Sequence, residues 1–261
     1  MTGVLPVTLE ESTKVVQAVL YSGKEYVCVM KLHGEMSEDQ VRRVLKEFED
    51  AIYQRPPLRA SVKRQLRTRR IYYLGFLEMD GRNVLFKVGC EAGTYIRKLC
   101  FDVGEVLGCG AHMQELRRTR AGPFVENNCV RLHDMAYWFM QWQEKKDEKF
   151  LKKFIQPMEQ ALASVPKIYI RDSAVDAVCH GASLTAPGVL RLENGIMEGS
   201  LLAVFSLKGE AVALARAAAS SEHILSMDHG VVAKVERVLM LRGTYPRCWK
   251  SGEKVDEQKP Q

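Results

Sequence analysis

The sequence of 261 residues has no apolar run long enough to cross a bilayer. It does not open with a basic segment and a long apolar stretch, as a secretory signal peptide would. Its seven cysteines are scattered, and no two form a Cys-x-x-Cys pair. These absences argue against a membrane protein, a secreted disulfide-bonded protein and a zinc site. We therefore expect reduced thiols that pack as small apolar side chains.

Several signatures of catalysis are also missing. The chain has no G-x-S-x-G motif, no glycine-rich loop for phosphates and no His-x-x-x-His pair. Its six histidines stand singly along the chain, and a single histidine is more often structural than catalytic. The sequence therefore gives little support for a serine hydrolase, a nucleotide-dependent enzyme or a metalloenzyme.

Positive charge, by contrast, is concentrated in one segment. The net charge is only +6, but the basic segment "RPPLRASVKRQLRTRR" (55–70) has seven cations and no acidic residue. Unopposed cations repel one another, so the segment indicates a polyanionic partner, and a phosphate backbone is the nearest candidate. A merely solvated basic loop is the alternative, because basic runs are common. The seven residues are Arg55, Arg59, Lys63, Arg64, Arg67, Arg69 and Arg70.

The first half of the chain has the pattern of a mixed sheet-and-helix domain. Alternation over residues 25–32 predicts a strand. Ser37 and Gln40 have capping-box spacing, and the apolar stripe after them predicts one helix that continues through Ile52 and stops at Pro56. An Asp-Gly turn between two apolar runs then predicts a hairpin. The segment "TYIRKLCFDVGEVLG" predicts a second helix, whereas "GAHMQELRRTRAGPF" is less regular.

The second half changes character. The pattern is helical from Asp134 to Leu162, and Pro166 marks a boundary. A short helix closed by Gly181 and short β segments around glycine turns follow, to about residue 243. The sequence thus predicts an α+β domain over 1–163, a small and mostly β domain over 164–245, and a polar tail over 246–261.

Two tyrosines and an arginine are candidates for a site. In "GTYIRK", Tyr95 and Arg97 stand at the predicted start of a helix, where free N–H groups favour an anion and an arginine can hold a carboxylate. Tyr26 lies on the first predicted strand, and a tyrosine can stack on a flipped base while its hydroxyl handles a proton. Packing is the default explanation for either tyrosine alone.

Six blocks of the chain resemble successive blocks of the TruB/dyskerin family of RNA pseudouridine synthases. The match is to the archaeal and eukaryotic branch, the catalytic subunit of H/ACA ribonucleoproteins, and it runs in order from Thr2 to about Trp249. The resemblance implies a pseudouridine synthase core of mixed sheet and helices, followed by a PUA domain. The blocks are "TGVLPV", "YQRPPLRASVKRQLRTRRIYYL", "CEAGTYIRKL", "LGCGAHMQELRRTRAGPF", "DSAVDAVCHGA" and "DHGVVAKVERVLMLRGTYPRCW".

The resemblance also assigns roles at a uridine pocket, and it implies no cofactor or metal. By matching motifs, Tyr26 would stack on the flipped base, Tyr95 would pack beneath it and Leu116 would line the pocket. Arg97 would pair with a catalytic aspartate. In the family that aspartate precedes "TGVLPV" in the order Asp-Pro-x-x-Thr-Gly, so it would lie three residues before Met1.

The resemblance therefore predicts a chain that lacks the N-terminal part of the core and is inactive as it stands. An arginine buried without a partner is costly, so we expect Arg97 to be exposed, paired elsewhere or disordered. A non-catalytic RNA-binding scaffold of an H/ACA-type particle is the main alternative. A PUA-bearing methyltransferase is a weaker one, because a glycine-rich cofactor loop is missing.

The same resemblance implies partners. The basic segment would grip RNA backbone, and "HGASLTAPGV" would read the ACA end and lower stem of a guide RNA through His180, Gly181, Ala182 and Pro187. The chain lacks the long insertion of bacterial tRNA-modifying members, which favours an enzyme directed by H/ACA guide RNA and small core proteins to an rRNA or tRNA substrate. A compact chain without lysine-rich tails favours an archaeal and cytoplasmic protein, whereas a eukaryotic one would be nucleolar.

Overall fold

The protein is described by a computed structural model that covers residues 1–56 and 63–248. Arg59 and all but the first three residues of the predicted tail lie outside the described residues. Contacts between residues divide the chain into two units. The first unit contains Met1–Thr8 and Val16–Ser164, and the second contains Leu9–Val15 and Val165–Gln261. The linear boundaries predicted from the sequence stay predictions.

The first unit is a curved sheet with helices between its strands. Its elements, in chain order, are β1 (Thr2–Gly3), α1 (Val16–Tyr21), β2 (Lys24–Leu32), α2 (Glu38–Glu47), β3 (Asp50–Gln54), β4 (Arg67–Asp80), β5 (Asn83–Cys90), α3 (Ile96–Leu107), β6 (Ala111–Ala121), β7 (Phe124–Val125), α4 (Leu132–Lys145) and α5 (Leu151–Phe154). Short 3-10 helices lie between β7 and α4 (Glu126–Asn128) and after α5 (Met158–Leu162).

Among the described residues this sheet has seven strands in the order β1-β6-β2-β5-β4-β3, with β7 also paired to β6. The pair β1–β6 is parallel, and β2 lies between the antiparallel neighbours β5 and β6. The inward-facing residues of β2 and β5 alternate, as the apolar pattern of a half-buried strand requires. They form one core with α2 and α3, which includes Cys28, Met30, Phe86, Leu45 and Cys100.

Two predictions for this unit are wrong. The helix predicted through Ile52 ends at Glu47, because Asp50 has a φ of 91° and starts β3 instead. The segment that looked irregular is the eleven-residue strand β6. Its register against β2 shifts twice, between Glu25 and Tyr26 and again between Val29 and Met30. Each shift breaks the two-residue alternation that would have identified a strand.

The helix α3 lies close against the start of β6. A methyl group at Gly104 would stand 2.1 Å from the Ala111 backbone nitrogen, closer than any real Cβ contact. Helix and strand therefore meet backbone to backbone at this point, and only glycine fits there. This contact fixes which end of α3 lies over which end of the sheet.

We expect Gly104→Ala to lower the free energy of unfolding by about 2 kcal/mol, because the added methyl group forces the helix and the strand apart. Urea unfolding followed by circular dichroism measures the change. Gly75→Ala is the matched control, since nothing lies within 4 Å of a Cβ at that glycine. Equal stability of the two variants would contradict the close packing.

The second unit is a small and mostly β body, and the predicted fold class is confirmed. Its elements are a 3-10 helix (Glu10–Val15), β8 (Lys167–Ile170), α6 (Asp172–Cys179), β9 (Leu184–Thr185), a 3-10 helix (Ala186–Gly188), β10 (Val189–Leu192), β11 (Leu201–Ser206), β12 (Ala211–Ala217), α7 (Ser221–Ser226) and β13 (Val231–Val238). Its sheet has six strands among the described residues, in the order β10-β8-β11-β12-β13-β9. Its core combines apolar residues of the strands with one face of α6, including Ile168, Val204 and Val178.

Candidate functional site

Tyr26 lies on the central strand of the first sheet, between two neighbours. It faces Val88 of β5 on one side and Arg118 of β6 on the other. Two residues further along, Cys28 is opposite Leu116, which is only 9% exposed. Side chains two apart on a strand share a face, so Tyr26 and Leu116 lie on the same side of the sheet. The structure thus brings these two predicted site residues together.

The start of α3 lies at the same level as Tyr26. The sulfur atoms of Cys28 and Cys100 are 3.6 Å apart, and Gly104 packs on Ala111, whose strand partner is Leu32. The helix therefore runs in the same direction as β2. The first turn of α3, which ends at Cys100, rises about 6 Å along the helix axis. Tyr26 precedes Cys28 by roughly 6.6 Å along β2, so the start of α3 is level with Tyr26. Tyr95 and Arg97 consequently lie at the Tyr26 end of the sheet.

Tyr95 is the residue before the first turn of α3 and is half-buried. Its carbonyl accepts hydrogen bonds from the amides of Lys98 and Leu99, both at 3.0 Å. The Tyr95 side chain makes no capping hydrogen bond, and the Tyr95 amide donates to Gln54 Oε1 at 2.9 Å. Helix geometry leaves the next amides without an intrahelical partner, as the sequence predicted.

Arg97 is exposed, which is one of the three outcomes expected from the sequence. Within residues 1–56 and 63–248, no salt bridge joins Arg97 to a carboxylate. Asp102 is on the same helix but pairs with Lys98 at 2.5 Å. A guanidinium in this position can receive an anion from outside the described residues.

Burial and cationic neighbours set the electrostatics around Tyr26. Burial raises the pKa of the Tyr26 hydroxyl, so that it stays protonated at neutral pH, and Arg118 opposes the shift. Burial and the charge of Arg118 lower the pKa of Lys24, whose ammonium donates to three backbone carbonyls. Burial raises the pKa of the nearby Cys90 thiol to about 11. The site therefore offers a neutral phenol next to fixed positive charge and no thiolate.

Arg118 is a residue that the sequence reasoning missed. Its Nε donates to the Val4 carbonyl at 2.7 Å, and its guanidinium is near enough to the Tyr26 hydroxyl to oppose the rise in the pKa of that group. It thereby ties the segment after β1 to the candidate site. Gly3 makes this possible, because a Cβ there would stand 2.1 Å from the Arg118 carbonyl oxygen. Arg118 follows Leu116 by two residues, so treating β6 as a strand would have placed both on one face.

On the opposite face of the sheet, Glu25 is the centre of a polar network. It accepts hydrogen bonds from the Tyr73 hydroxyl and from Thr119 at 2.6 Å, and it pairs with Lys87 at 3.1 Å. Burial alone would raise the pKa of Glu25, but these three partners together lower it. The carboxylate is therefore ionised and fully engaged, so it is structural and does not serve Arg97.

The basic segment is only partly unopposed, contrary to the sequence-based interpretation. Arg69 pairs with Glu91 at 3.3 Å, and Arg70 pairs with Asp50 at 3.2 Å. These carboxylates are distant in sequence and reach the segment because β4 pairs with β3 and β5. The cations without a described carboxylate partner are Arg55, Lys63, Arg64 and Arg67. All four are exposed or half-exposed, so they can contact a polyanion.

In the second unit, His180 and Gly181 line a cavity of about 320 Å³. The cavity lining includes the apolar Val238 and two cations, Lys14 and Arg242, of which Lys14 also pairs with Glu11 at 2.5 Å. The Nδ1–H of His180 donates to the Asp176 backbone carbonyl at 2.8 Å. The two cations were not predicted, because they come from opposite ends of the unit in sequence.

Ala182 and Pro187 are exposed residues of the same unit but do not line that cavity. The Pro187 carbonyl accepts a hydrogen bond from Arg171 at 3.0 Å. The predicted contact of these two residues with RNA stays a prediction.

Among residues 1–56 and 63–248, no group of three or more His, Cys, Asp or Glu side chains could hold a metal ion, and no helix is long and apolar enough to span a membrane.

Three family models match parts of the chain. The model described as the tRNA pseudouridylate synthase B C-terminal domain matches residues 97–163. The PUA domain model matches residues 166–239, and the model described as Pus10, C-terminal, matches residues 5–106. The first and third cover the unit that contains Tyr26 and Arg97, and the second covers the unit with the cavity at His180.

Relatives match almost the whole chain. The protein named "Probable tRNA pseudouridine synthase B" of Methanopyrus kandleri is 56% identical over 95% of this chain and 74% of its own length. The protein of the same name from Pyrococcus abyssi is 54% identical over 95% of this chain and 75% of its own.

Solved structures agree with these relatives. A chain of the crystal structure of a Cbf5-Nop10-Gar1 complex has a TM-score of 0.91 and 53% identity, over 94% of this chain and 75% of that one. A chain from an H/ACA RNP bound to a substrate RNA containing 2'-deoxyuridine has a TM-score of 0.86 and 50% identity, over 95% and 75%. With more than half of its residues identical to these relatives over nearly its full length, the chain belongs to the TruB/dyskerin family of RNA pseudouridine synthases.

Proposed function

We propose that the chain provides the uridine pocket and the PUA domain of an RNA-guided pseudouridine synthase in an H/ACA-type particle. One observation carries the proposal: Tyr26, Leu116 and the start of α3 with Arg97 meet at one end of one sheet face. The comparisons support the reaction class, because the matched relatives are named for pseudouridine synthesis.

The reaction converts one uridine isomer into another and therefore balances without a co-reactant. The uridine is flipped out of the RNA, its glycosidic bond breaks, the uracil turns, and a carbon–carbon bond forms to the ribose. Tyr26 stacks on the flipped base and keeps its proton, Tyr95 packs beneath the base, and Leu116 lines the pocket. Arg97 orients the catalytic aspartate, which acts either as nucleophile or as the base that takes a ribose proton.

We propose that this aspartate lies outside residues 1–261. The exposed position of Arg97 supports this, since a guanidinium that orients a carboxylate needs one nearby. The carboxylates near the site are already engaged: Glu25 lies on the other face, and Asp102 pairs with Lys98. A scaffold that binds RNA without turnover is the second candidate, favoured by the same exposed Arg97.

Partners follow from the related structures. The Cbf5 structure contains Nop10 and Gar1, and the H/ACA RNP structure contains substrate RNA. We propose that this chain likewise assembles with small core proteins, an H/ACA guide RNA and an rRNA or tRNA substrate. We further propose a cytoplasmic location, as expected for an archaeal protein.

RNA binding would use two surfaces, one in each unit. In the first unit, Arg55, Lys63, Arg64 and Arg67 would contact phosphates. In the second unit, the cavity at His180 and Gly181 would receive nucleotides of the guide RNA, with Lys14 and Arg242 at its rim facing the backbone. Exposed bases pack well on an apolar wall between cations.

We expect guide-RNA affinity to fall steeply with salt, and to fall less steeply in Arg64→Ala/Arg67→Ala. Each lost phosphate contact lowers the slope of log Kd against log salt by about 0.7 to 0.9. Filter binding over a range of potassium chloride concentrations measures the slope. Lys145→Ala/Lys149→Ala, which removes two exposed lysines from another part of the unit, is the control and should leave it unchanged. Identical slopes for all three proteins would exclude the basic segment from RNA binding.

A further inference from the structure

We infer that Gln54 is a positioning residue for Tyr95, and that it couples the base of the basic segment to the uridine pocket. The inference deepens the proposed function and rests on it. Gln54 is the last residue of β3, directly before Arg55, and its side chain is 2% exposed. Its amide oxygen accepts from the Tyr95 backbone N–H at 2.9 Å, and its amide nitrogen donates to the Tyr95 carbonyl at 3.1 Å.

The two hydrogen bonds define one orientation of the Gln54 amide. Turning the amide over would place N–H against N–H and oxygen against oxygen. An apolar side chain would fill the same volume without the cost of burying an amide. What the amide adds is a fixed backbone for Tyr95, a residue that belongs to neither strand nor helix and has no described side-chain cap. The two hydrogen bonds from Gln54 take the place of the backbone hydrogen bonds that a neighbouring strand would have made to Tyr95.

The loop before Tyr95 is also held by β4, the second strand at the basic segment. The Glu91 amide donates to the Arg70 carbonyl at 2.8 Å, and the Arg70 amide donates to the Glu91 carboxylate at 3.0 Å. Arg69 adds an ion pair to the same carboxylate. The loop from Glu91 to Tyr95 is therefore bonded to β3 and to β4, the two strands from which the basic segment emerges.

These hydrogen bonds and the ion pair connect the basic segment to the uridine pocket. Phosphate binding at the segment would restrain the ends of β3 and β4, and those ends hold the loop that sets Tyr95 and the start of α3. Gln54 makes the two bonds to Tyr95 itself, so its loss should leave RNA binding intact while the pocket loosens. Gln54 would act through Tyr95 without touching the substrate.

Amide exchange of residues 1–261 tests the positioning without any need for turnover. Gln54→Met keeps length and loses both hydrogen bonds, so exchange of the Tyr95 amide should speed up by about tenfold or more. The Val88 amide should not change, which separates local release from global loss of stability. Gln40→Met is the matched control, because Gln40 caps α2 away from the loop. Exchange at Tyr95 that is unchanged, or that rises equally at Val88, would overturn the inference.

Single-turnover kinetics test the coupling in a complete particle whose chain also carries the aspartate-bearing segment. Gln54→Met should slow pseudouridine formation by about tenfold to a hundredfold, with guide-RNA Kd within about twofold of the wild type. In Gln54→Glu the carboxylate can only accept, but its protonated form can also donate to the Tyr95 carbonyl. Its rate relative to the wild type should therefore rise as the pH falls, a profile that loss of stability would not produce.

The two possible failures are distinguishable. A wild-type particle that is active, with Gln54→Met equally fast, would overturn the inference and leave the proposed function intact. A wild-type particle that contains the aspartate-bearing segment and is still inactive would count against the proposed function. The exchange measurement would then decide on Gln54 alone, since it needs only residues 1–261.

Discussion

Residues 1–261 should bind an H/ACA guide RNA but release no tritium from RNA labelled at carbon 5 of uridine. The residues proposed to hold the base and the RNA are present, whereas no described carboxylate is paired with Arg97. Loss of a nucleophile or base typically lowers a rate by about 10⁴-fold or more while binding survives. Tritium release during incubation with guide RNA, core proteins and labelled substrate measures this. Turnover by residues 1–261 would refute the assignment of the aspartate to a segment outside them.

The matching gain-of-function experiment reads the gene upstream of the Met1 codon and adds any in-frame segment found there. If it contains an in-frame block that ends in Asp-Pro near the Thr-Gly pair, activity should appear, and Asp→Asn in that block should abolish it. A stop codon directly upstream would favour the non-catalytic scaffold instead. Arg118 and Gly3 explain why such a block would be well placed, since they fix the following residues against β6.

The second large effect is expected from Tyr26→Ala and Arg97→Ala in the active form of the enzyme. Each should lower the single-turnover rate by about 10²-fold or more, because Tyr26 supplies the face on which the base stacks and Arg97 orients the carboxylate. Guide-RNA affinity should stay within about twofold of the wild type, since neither residue belongs to the RNA-gripping surfaces. Rapid-quench pseudouridine assays with saturating particle separate an effect on the rate from an effect on RNA binding.

Matched controls are available on the same unit. Tyr137→Ala removes an exposed tyrosine of α4, and Arg82→Ala removes an arginine that donates to the His33 carbonyl at the far end of the sheet. Both controls should retain the wild-type rate. If Tyr26→Ala and Arg97→Ala did the same, the transfer of roles from the family to these residues would be wrong.

The positions of the candidate residues also explain the electrostatics of the pocket. Burial raises the pKa of Tyr26 and of Cys90, so both stay protonated, while Arg118 contributes positive charge. Such a site is suited to receive a carboxylate and an electron-rich uracil, and it holds no thiolate that could compete as a nucleophile. The geometry thus favours chemistry that uses an added acid group.

Much of this protein could be predicted from sequence, because local patterns report local structure. The alternation over 25–32, the capping box at Ser37 and the Asp-Gly turn each predicted the element that the structure contains. The motif blocks predicted the family, and with it the change from a sheet-and-helix unit to a mostly β unit. Each of these signals depends on residues close together in the chain.

The errors arose where distant strands decide the outcome. The backbone at Asp50 turns out of the helical path, so an apolar stripe that fits a helix continues as β3. The register shifts between β2 and β6 interrupt the alternation of side chains along β6. The sequence pattern therefore did not identify β6 as a strand, and the position of Arg118 next to Tyr26 was missed. Partners of Arg69 and Arg70 come from other strands, so a segment that looks unopposed in sequence is partly neutralised.

By itself, the sequence determined the family, the elements with strong local periodicity and the residue types of the pocket. Only the tertiary structure decided that Tyr26, Leu116, Arg118 and the start of α3 meet, and that Gln54 holds Tyr95. The physical reason is that hydrogen bonds and ion pairs between strands depend on register, and register is set by how the whole sheet packs against its helices.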